Sequence, residues 1–186
     1  NDAGVRLWGT YYGGELYDAG NAVTTDDENN IYITGSSISE DGIAHLGHQN
    51  TFGGYEDGWI NAFGDAILVK FSEDGDRLWG TYYGGANGDE GNSVHVADDG
   101  SVYLIGTTNS PEAISTPEGF QSDFGGAMGG VFFDLIGDAF LAKFNSDGDR
   151  IWGTYYGGSE NDFGEGVKTD PDGEIYFCGS TGSTIN

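Results

Sequence analysis

The chain has 186 residues with 31 acidic and six basic side chains, which gives a net charge of −25 at pH 7. Such a negative surface repels phosphate backbones and anionic lipid headgroups, which argues against nucleic acids and membrane surfaces as partners. No apolar run approaches the roughly 20 residues of a membrane-spanning helix, so direct membrane insertion is not expected. Aromatic residues make up 14% of the chain and supply large side chains for a core.

One segment occurs three times. RLWGTYYGG occupies residues 6–14 and 77–85, and RIWGTYYGG occupies residues 150–158. Repetition at long and nearly equal intervals is typical of propeller and solenoid proteins, in which each repeat is one structural unit. The sequence therefore predicts a repeat array.

Short strands are predicted along each repeat. In the first repeat they lie at residues 7–12, around Val23 and at residues 31–34. In the second and third repeats a further strand precedes these, at residues 66–71 and 139–144, and an Asp-Gly turn joins it to the next strand. Asp-Gly between two apolar runs is a hairpin signal because glycine adopts positive φ readily. The unit is therefore predicted to be a four-stranded antiparallel meander.

Tandem four-stranded meanders are the blades of β-propellers. The predicted fold is all-β, with about three blades of which the first is incomplete. Repeat 1 spans about residues 1–64 and lacks its first strand, repeat 2 spans about 65–137, and repeat 3 spans about 138–186 and is truncated at its end. A sheet that lacks a strand exposes an unpaired edge, so we expect it to be completed by another copy or by further blades.

The motifs resemble those of a bacterial family, the SBBP beta-propeller repeats. The resemblance rests on WGTYYGG, on D-x-G at residues 18–20, 89–91 and 162–164, on D-x-x-G-x-x-Y-x-x-G-x-T at residues 170–181, and on DAFLAKF at residues 138–144. It implies a secreted or cell-surface bacterial protein with adhesive or structural modules and without established catalytic residues. The segments between the predicted blades are longer than this resemblance leads us to expect.

Registered aromatic and cationic residues are expected to hold the repeat together. Trp8, Trp79 and Trp152 are predicted to occupy equivalent buried positions between sheets. Arg6, Arg77 and Arg150 form a second registered set. Each arginine is predicted to make either an ion pair or a cap on backbone carbonyl groups, with Asp18, Asp89, Asp162, Asp65 and Asp138 as candidate ion-pair partners.

Acidic turns give a weak calcium signal. Carboxylates two residues apart flank or precede a glycine, and Ca²⁺ binds six to eight such oxygens. The spacing falls short of an EF-hand loop, and an ordinary hairpin turn is the alternative. No cofactor is required by the sequence, and Ca²⁺ is the possible ligand. The candidate residues are Asp74, Asp76, Asp147, Asp149, Asp170 and Asp172.

Aromatic residues in the segments between the predicted blades are candidate ligand contacts. Exposed aromatic rings stack on sugars, and the residues concerned are Tyr55, Trp59, Phe132 and Phe133. A decorated connection is the structural alternative. No nucleophile elbow, Walker loop or dinucleotide motif is present, so the protein is not expected to be an enzyme.

Three functions are therefore compared. The first is a non-catalytic structural or adhesive module of an extracellular or cell-surface protein, whose partners are other copies or further blades of the same parent. The second is a carbohydrate-binding propeller that uses the aromatic segments. The third is an enzyme that acts on an extracellular polysaccharide, for which the sequence offers no defined catalytic residues.

Overall fold

The computed structural model describes residues 3–54, 64–126 and 137–184. Within these ranges the protein is all-β, as predicted, and no helix is long and apolar enough to span a membrane. The ten strands are β1 (Asp18–Thr25), β2 (Ile31–Ser37), β3 (Asp65–Phe71), β4 (Arg77–Tyr83), β5 (Asp89–Val96), β6 (Val102–Thr108), β7 (Asp138–Phe144), β8 (Arg150–Tyr156), β9 (Asp162–Thr169) and β10 (Ile175–Thr181).

The strands form three antiparallel sheets in chain order. Sheet 1 contains β1 to β4 and sheet 2 contains β5 to β8, each as a four-stranded meander in which every strand pairs with the next. Sheet 3 consists of β9 and β10. The prediction of four-stranded antiparallel meanders is confirmed by sheets 1 and 2.

The sheets are divided differently from the predicted repeats. The long segment after β2 does not connect two blades: β2 pairs with β3 over their full lengths, from Ile31 opposite Phe71 to Ser37 opposite Asp65. The WGTYY strand is therefore the last strand of sheets 1 and 2, and does not follow the first strand of a sheet. Short Gly-Gly loops at residues 84–88 and 157–161 lead from one sheet to the next. As a result sheet 1 is complete, and the sheet with two strands is the last.

The segment before β1 differs from its predicted structure. Residues 8–12 carry the same WGTYY sequence as β4 and β8 but are not a strand. In sheets 1 and 2 the WGTYY strand pairs with a DAxLxKF strand, and residues 8–12 pair with no strand among the described residues. Trp8 is consequently 38% exposed, whereas Trp79 is 4% exposed. The prediction that all three repeat tryptophans are equally buried is therefore wrong for Trp8.

The cores lie between successive sheets. The largest cluster joins Trp79, Tyr83 and Leu68 of sheet 1 to Phe140 and Phe144 of sheet 2. A smaller cluster joins sheet 2 to Val167 of sheet 3 and includes the partly buried Trp152. Because β3 and β7 are buried along nearly their whole length, they read as continuous apolar runs, as strands covered on both faces do.

Candidate functional site at the joint between successive sheets

Trp8 and Trp79 each contact a hairpin turn of the sheet that follows them in the chain. Trp79 Nε1, at the end of sheet 1, donates a hydrogen bond of 2.9 Å to the carbonyl oxygen of Ser146, in the β7–β8 turn. Gly148 of that turn lies directly against the indole, and a β-carbon there would approach the ring to 2.8 Å. Trp8 makes the same contact one unit earlier, with Nε1 2.8 Å from the carbonyl oxygen of Glu73.

The second tyrosine of WGTYY and the repeat arginine form another part of the joint. The Tyr83 hydroxyl donates to the carbonyl oxygen of Ile114 at 2.6 Å. Arg150 Nη1 donates to the carbonyl oxygens of Ala113 and Ile114 at 2.8 and 3.2 Å, and the guanidinium lies 5.9 Å from the centre of the Tyr83 ring. Of the two predicted arginine roles, the geometry here is the carbonyl cap.

One joint earlier the arrangement is the same. Arg77 Nη1 donates to the carbonyl oxygens of Gly42 and Ile43, and the Tyr12 hydroxyl also donates to Ile43. Arg6, the third member of the predicted set, is exposed on the segment before β1. The sequence register of Arg77 and Arg150 therefore reflects one contact that is repeated in sheet 1 and in sheet 2.

The aspartate of D-x-G fixes the loop between sheets. Asp89 Oδ2 accepts hydrogen bonds from the backbone N–H of Gly85 and from the Ser110 hydroxyl, both at 2.9 Å. Asp18 and Asp162 make the equivalent contacts with their own Gly-Gly loops and with a serine. The predicted partners of the arginines are therefore engaged by N–H and O–H donors of the loops.

A second carboxyl group lies at each joint. Asp65 Oδ2 accepts from Gly53 N at 2.8 Å and from Gln49 Nε2 at 2.9 Å. Burial raises the pKa of Asp65 to about 7, although hydrogen bonds from Gly53, Gly54 and Gln49 act in the opposite direction. Asp138 has the corresponding contacts with Gln121 and Gly125, and burial likewise raises its pKa.

Gln49 and Gln121 were missed by the sequence analysis. Gln49 Oε1 accepts from Gly84 N while Nε2 donates to Asp65, so the side chain ties the long segment of one sheet to the loop that leaves it. Gln121 does the same with Gly157 and Asp138. The signal was present as QNTFGG at residues 49–54 and QSDFGG at residues 121–126, inside segments that otherwise differ between repeats.

In the last repeat, the tyrosine equivalent to Tyr83 is more exposed to solvent. Tyr156 corresponds to Tyr83 but is 49% exposed, and it packs on Phe177 and stacks with Phe120. These rings and Phe163 line a groove of about 620 Å³ beside sheet 3. Cys178 ends the apolar run IYFC at residues 175–178, which predicts a buried thiol, but it is exposed because β10 has only β9 as a neighbour in the described part of the chain.

The predicted calcium residues lie in two kinds of turn. Asp74, Asp76, Asp147 and Asp149 belong to the β3–β4 and β7–β8 hairpins, whereas Asp170 and Asp172 belong to the β9–β10 hairpin. Asp170 Oδ1 accepts from the backbone N–H groups of Asp172 and Glu174, as a turn-forming side chain does. In the ranges described, no three or more His, Cys, Asp or Glu residues form a group that could hold a metal ion.

The predicted aromatic contacts cannot be placed. Tyr55, Trp59, Phe132 and Phe133 lie outside the described residues. The groove at Tyr156 is formed by other aromatic side chains, which the sequence analysis assigned to the fold or did not single out.

Successive antiparallel sheets joined face to face by one recurring set of contacts define a tandem-repeat β-protein of the propeller class. The family model described as "Beta-propeller repeat", SBBP, matches residues 7–43 and 151–185. The resemblance seen in the sequence is thereby confirmed for these two segments. No curated protein matches the chain.

Proposed function

We propose that the protein is a non-catalytic structural or adhesive module of a secreted or cell-surface bacterial protein. Its role is to pack against further β-sheet repeats of the same type. The observation that carries this proposal is the joint itself: one set of contacts is made at the turn beside Trp8 and again at the turn beside Trp79, and its residues are presented a third time at Trp152 and Tyr156.

The partner is another sheet of the same type. At the joint between sheets 1 and 2, Tyr83 is covered by Phe140 and Phe144 and contacts the Arg150 guanidinium. In such a sheet the strand equivalent to β7 would pair with the free edge of β10 and cover the groove at Tyr156, Phe163 and Phe177. Another copy of the chain or further blades of the parent protein would supply it.

Sedimentation of the 186-residue chain over a range of concentrations tests the proposal. We expect oligomers whose population grows with concentration. The double variant Tyr156→Ser and Phe177→Ser should shift them toward monomer, whereas Leu46→Ser, which changes an exposed loop residue, should not. Monomer at every concentration, together with no gain in melting temperature when further repeats are fused to the chain, would contradict the proposal.

The extracellular location rests on the SBBP resemblance and has its own test. Protease added to intact bacterial cells that make the parent protein should degrade it, while a cytoplasmic marker protein should survive. Incubation with a panel of extracellular polysaccharides separates the other two functions. Retention of the chain would favour glycan binding, and release of sugar products would favour an enzyme.

A further inference from the structure

Two carboxyl groups face each other at the joint between sheets 1 and 2. Asp65 begins β3 and is fully buried, and Asp89 begins β5 and is 4% exposed. A β-carbon built on Gly84 would lie 2.9 Å from Asp65 Oδ1 and 2.5 Å from Asp89 Oδ2. Asp65 Oδ1 and Asp89 Oδ2 therefore both lie beside Gly84, although the two aspartates belong to different sheets.

The next joint repeats this arrangement. A β-carbon on Gly157 would lie 2.6 Å from Asp138 Oδ1 and 2.7 Å from Asp162 Oδ2. Asp138 begins β7 and Asp162 begins β9, so the pair again spans two sheets. Both carboxyl groups are at least 97% buried, since their exposed fractions are 0% and 3%.

Hydrogen bonding distinguishes the two oxygens of each carboxyl group. The Oδ2 atoms of Asp65, Asp89, Asp138 and Asp162 all accept from N–H or O–H donors. Asp65 Oδ1 and Asp138 Oδ1, which face the Oδ2 atom of the opposite aspartate at the glycine, are buried and have no hydrogen-bond partner among the described residues, and Asp89 Oδ1 has none either. The same oxygen is thus left without a donor at the same position in both sheets.

An ionised pair would be costly at this place. Two buried carboxylates repel each other, and burial itself disfavours the charged form. The titratable neighbours of the pairs are Tyr82, Tyr83 and Tyr155, none of which is cationic. Arg150, which contacts Tyr83, gives its hydrogen bonds to backbone carbonyls, and the one ion pair of the described chain joins Lys70 to Asp26.

A metal ion fits these oxygens less well than a proton does. Ca²⁺ takes six to eight oxygen ligands, and Mg²⁺ needs octahedral geometry. Here N–H and O–H donors already surround the Oδ2 atoms, which is the environment of an anion. The Thr181 hydroxyl likewise donates to Asp162 Oδ1. A proton needs only one oxygen to carry it.

We propose that each joint holds one proton, carried by Asp65 Oδ1 at the first joint and by Asp138 Oδ1 at the second, so that a carboxylic acid faces a carboxylate across the sheet boundary. The joint is then a pH-sensitive device. Removal of the proton places two negative charges together in a buried site and loosens the contact between sheets.

The direction of the pH dependence follows from the same groups. Burial raises the pKa of Asp65 and of Asp89 from 3.8 to about 7. At the second joint burial raises the pKa of Asp138, whereas the pKa of Asp162 is lowered because hydrogen bonds from Thr181, Gly158 and Ser183 outweigh burial. The folded state therefore binds more protons than the unfolded chain, and its stability falls as the pH rises from about 4 to about 7.

Substitution by asparagine tests the assignment. In Asp65→Asn with Asp138→Asn, an amide N–H₂ group replaces the acid O–H as a permanent donor toward Asp89 and Asp162. We expect the melting temperature at about pH 8 to rise by at least about 3 °C, and its dependence on pH between about 5 and 8 to become flatter. Asp74→Asn removes the charge of an exposed turn residue and should retain the pH dependence of the original chain.

The partner position should respond in the opposite way. Asp89→Asn replaces an oxygen that accepts from Gly85 and Ser110, so its melting temperature should fall at every pH. If Asp65→Asn with Asp138→Asn is as destabilising as Asp89→Asn, the assignment of the proton is overturned.

Infrared spectroscopy provides a direct measurement that needs no double variant. The original chain at about pH 6 should show the carbonyl stretch of a buried carboxylic acid, and Asp138→Asn alone should reduce that band. A band that is absent at this pH overturns the proposal. A bound cation is the alternative to the proton. The proposal is also overturned if Ca²⁺ or Mg²⁺ raises the melting temperature more than NaCl of equal ionic strength does, and if Asp65→Asn abolishes this additional rise.

Discussion

Identical residues of this chain occupy different environments. Trp8 and Trp79 each donate an indole hydrogen bond to a turn carbonyl, but Trp79 also lies in the largest core cluster with Tyr83 and Phe144. The hydrogen bond depends on the turn that receives it, whereas burial depends on whether the tryptophan's own strand is part of a sheet. Identical sequence therefore coincides with an identical polar contact, whereas the prediction of identical burial is wrong for Trp8.

This difference gives the first prediction. Trp79→Ala should lower the free energy of unfolding by about 3–5 kcal/mol, because it opens a large cavity in the core. Trp8→Ala should cost less than half as much, because this ring is already partly in water. Urea unfolding followed by circular dichroism measures both. Equal losses would show that Trp8 is as fully packed as Trp79 in solution.

Two turn glycines separate backbone strain from packing. Gly148 has φ of 88° and Gly173 has φ of 83°, so alanine is strained at both positions. Only at Gly148 would the new β-carbon meet a neighbour, the Trp79 ring at 2.8 Å, since nothing lies within 4 Å at Gly173.

We expect Gly173→Ala to cost about 1–2 kcal/mol from the left-handed conformation alone. Gly148→Ala should cost about 1–3 kcal/mol more, because the indole has to move. The same urea titration compares the two variants. If their losses are equal, the turn does not press on Trp79 as described.

The strands were largely predictable because local sequence determines them. Asp-Gly turns specify the β3–β4 and β7–β8 hairpins, and the apolar runs DAILVKF and DAFLAKF specify strands covered on both faces. The grouping into sheets was not predictable in this way. β2 and β3 pair with each other although residues 38–64 separate them in the sequence. Nothing in the local sequence pattern distinguishes a connection within a sheet from a connection between sheets.

Sheet grouping has a measurable consequence at β10. The equivalent strand β6 pairs with β5 and β7 and is almost fully buried. Among the described residues β10 pairs with β9 alone, and it is exposed along most of its length. Backbone amides of β10 that point away from β9 should exchange with solvent deuterium much faster than the matching amides of β6. Equal protection at low protein concentration would mean that this edge is covered in the monomer.

For the molecule as a whole, the charge of −25 opposes compaction. We expect the melting temperature to rise with NaCl concentration, because salt screens repulsion among exposed carboxylates. Thermal scans at increasing NaCl test this, and a melting temperature that is independent of salt would contradict it.

The calcium sites at the acidic turns stay a prediction. Scans with CaCl₂ and with chelator, each matched to NaCl of equal ionic strength, test it separately from screening. A variant of Asp147 and Asp149 to asparagine should lose any calcium-specific gain, and superimposable curves would remove the reason to propose these sites.

The joint has a direction along the chain. One side always contributes the tryptophan and the second tyrosine, and the other side contributes the turn, the arginine and the capped carbonyl groups. Two copies that associate through this contact are therefore related head to tail, and a two-fold symmetric dimer cannot form from it. If the rotation from one sheet to the next brings the last unit back to the first, the product is a closed ring of fixed size. If it does not, the product is a polar fibre that grows by adding the same face to the same end.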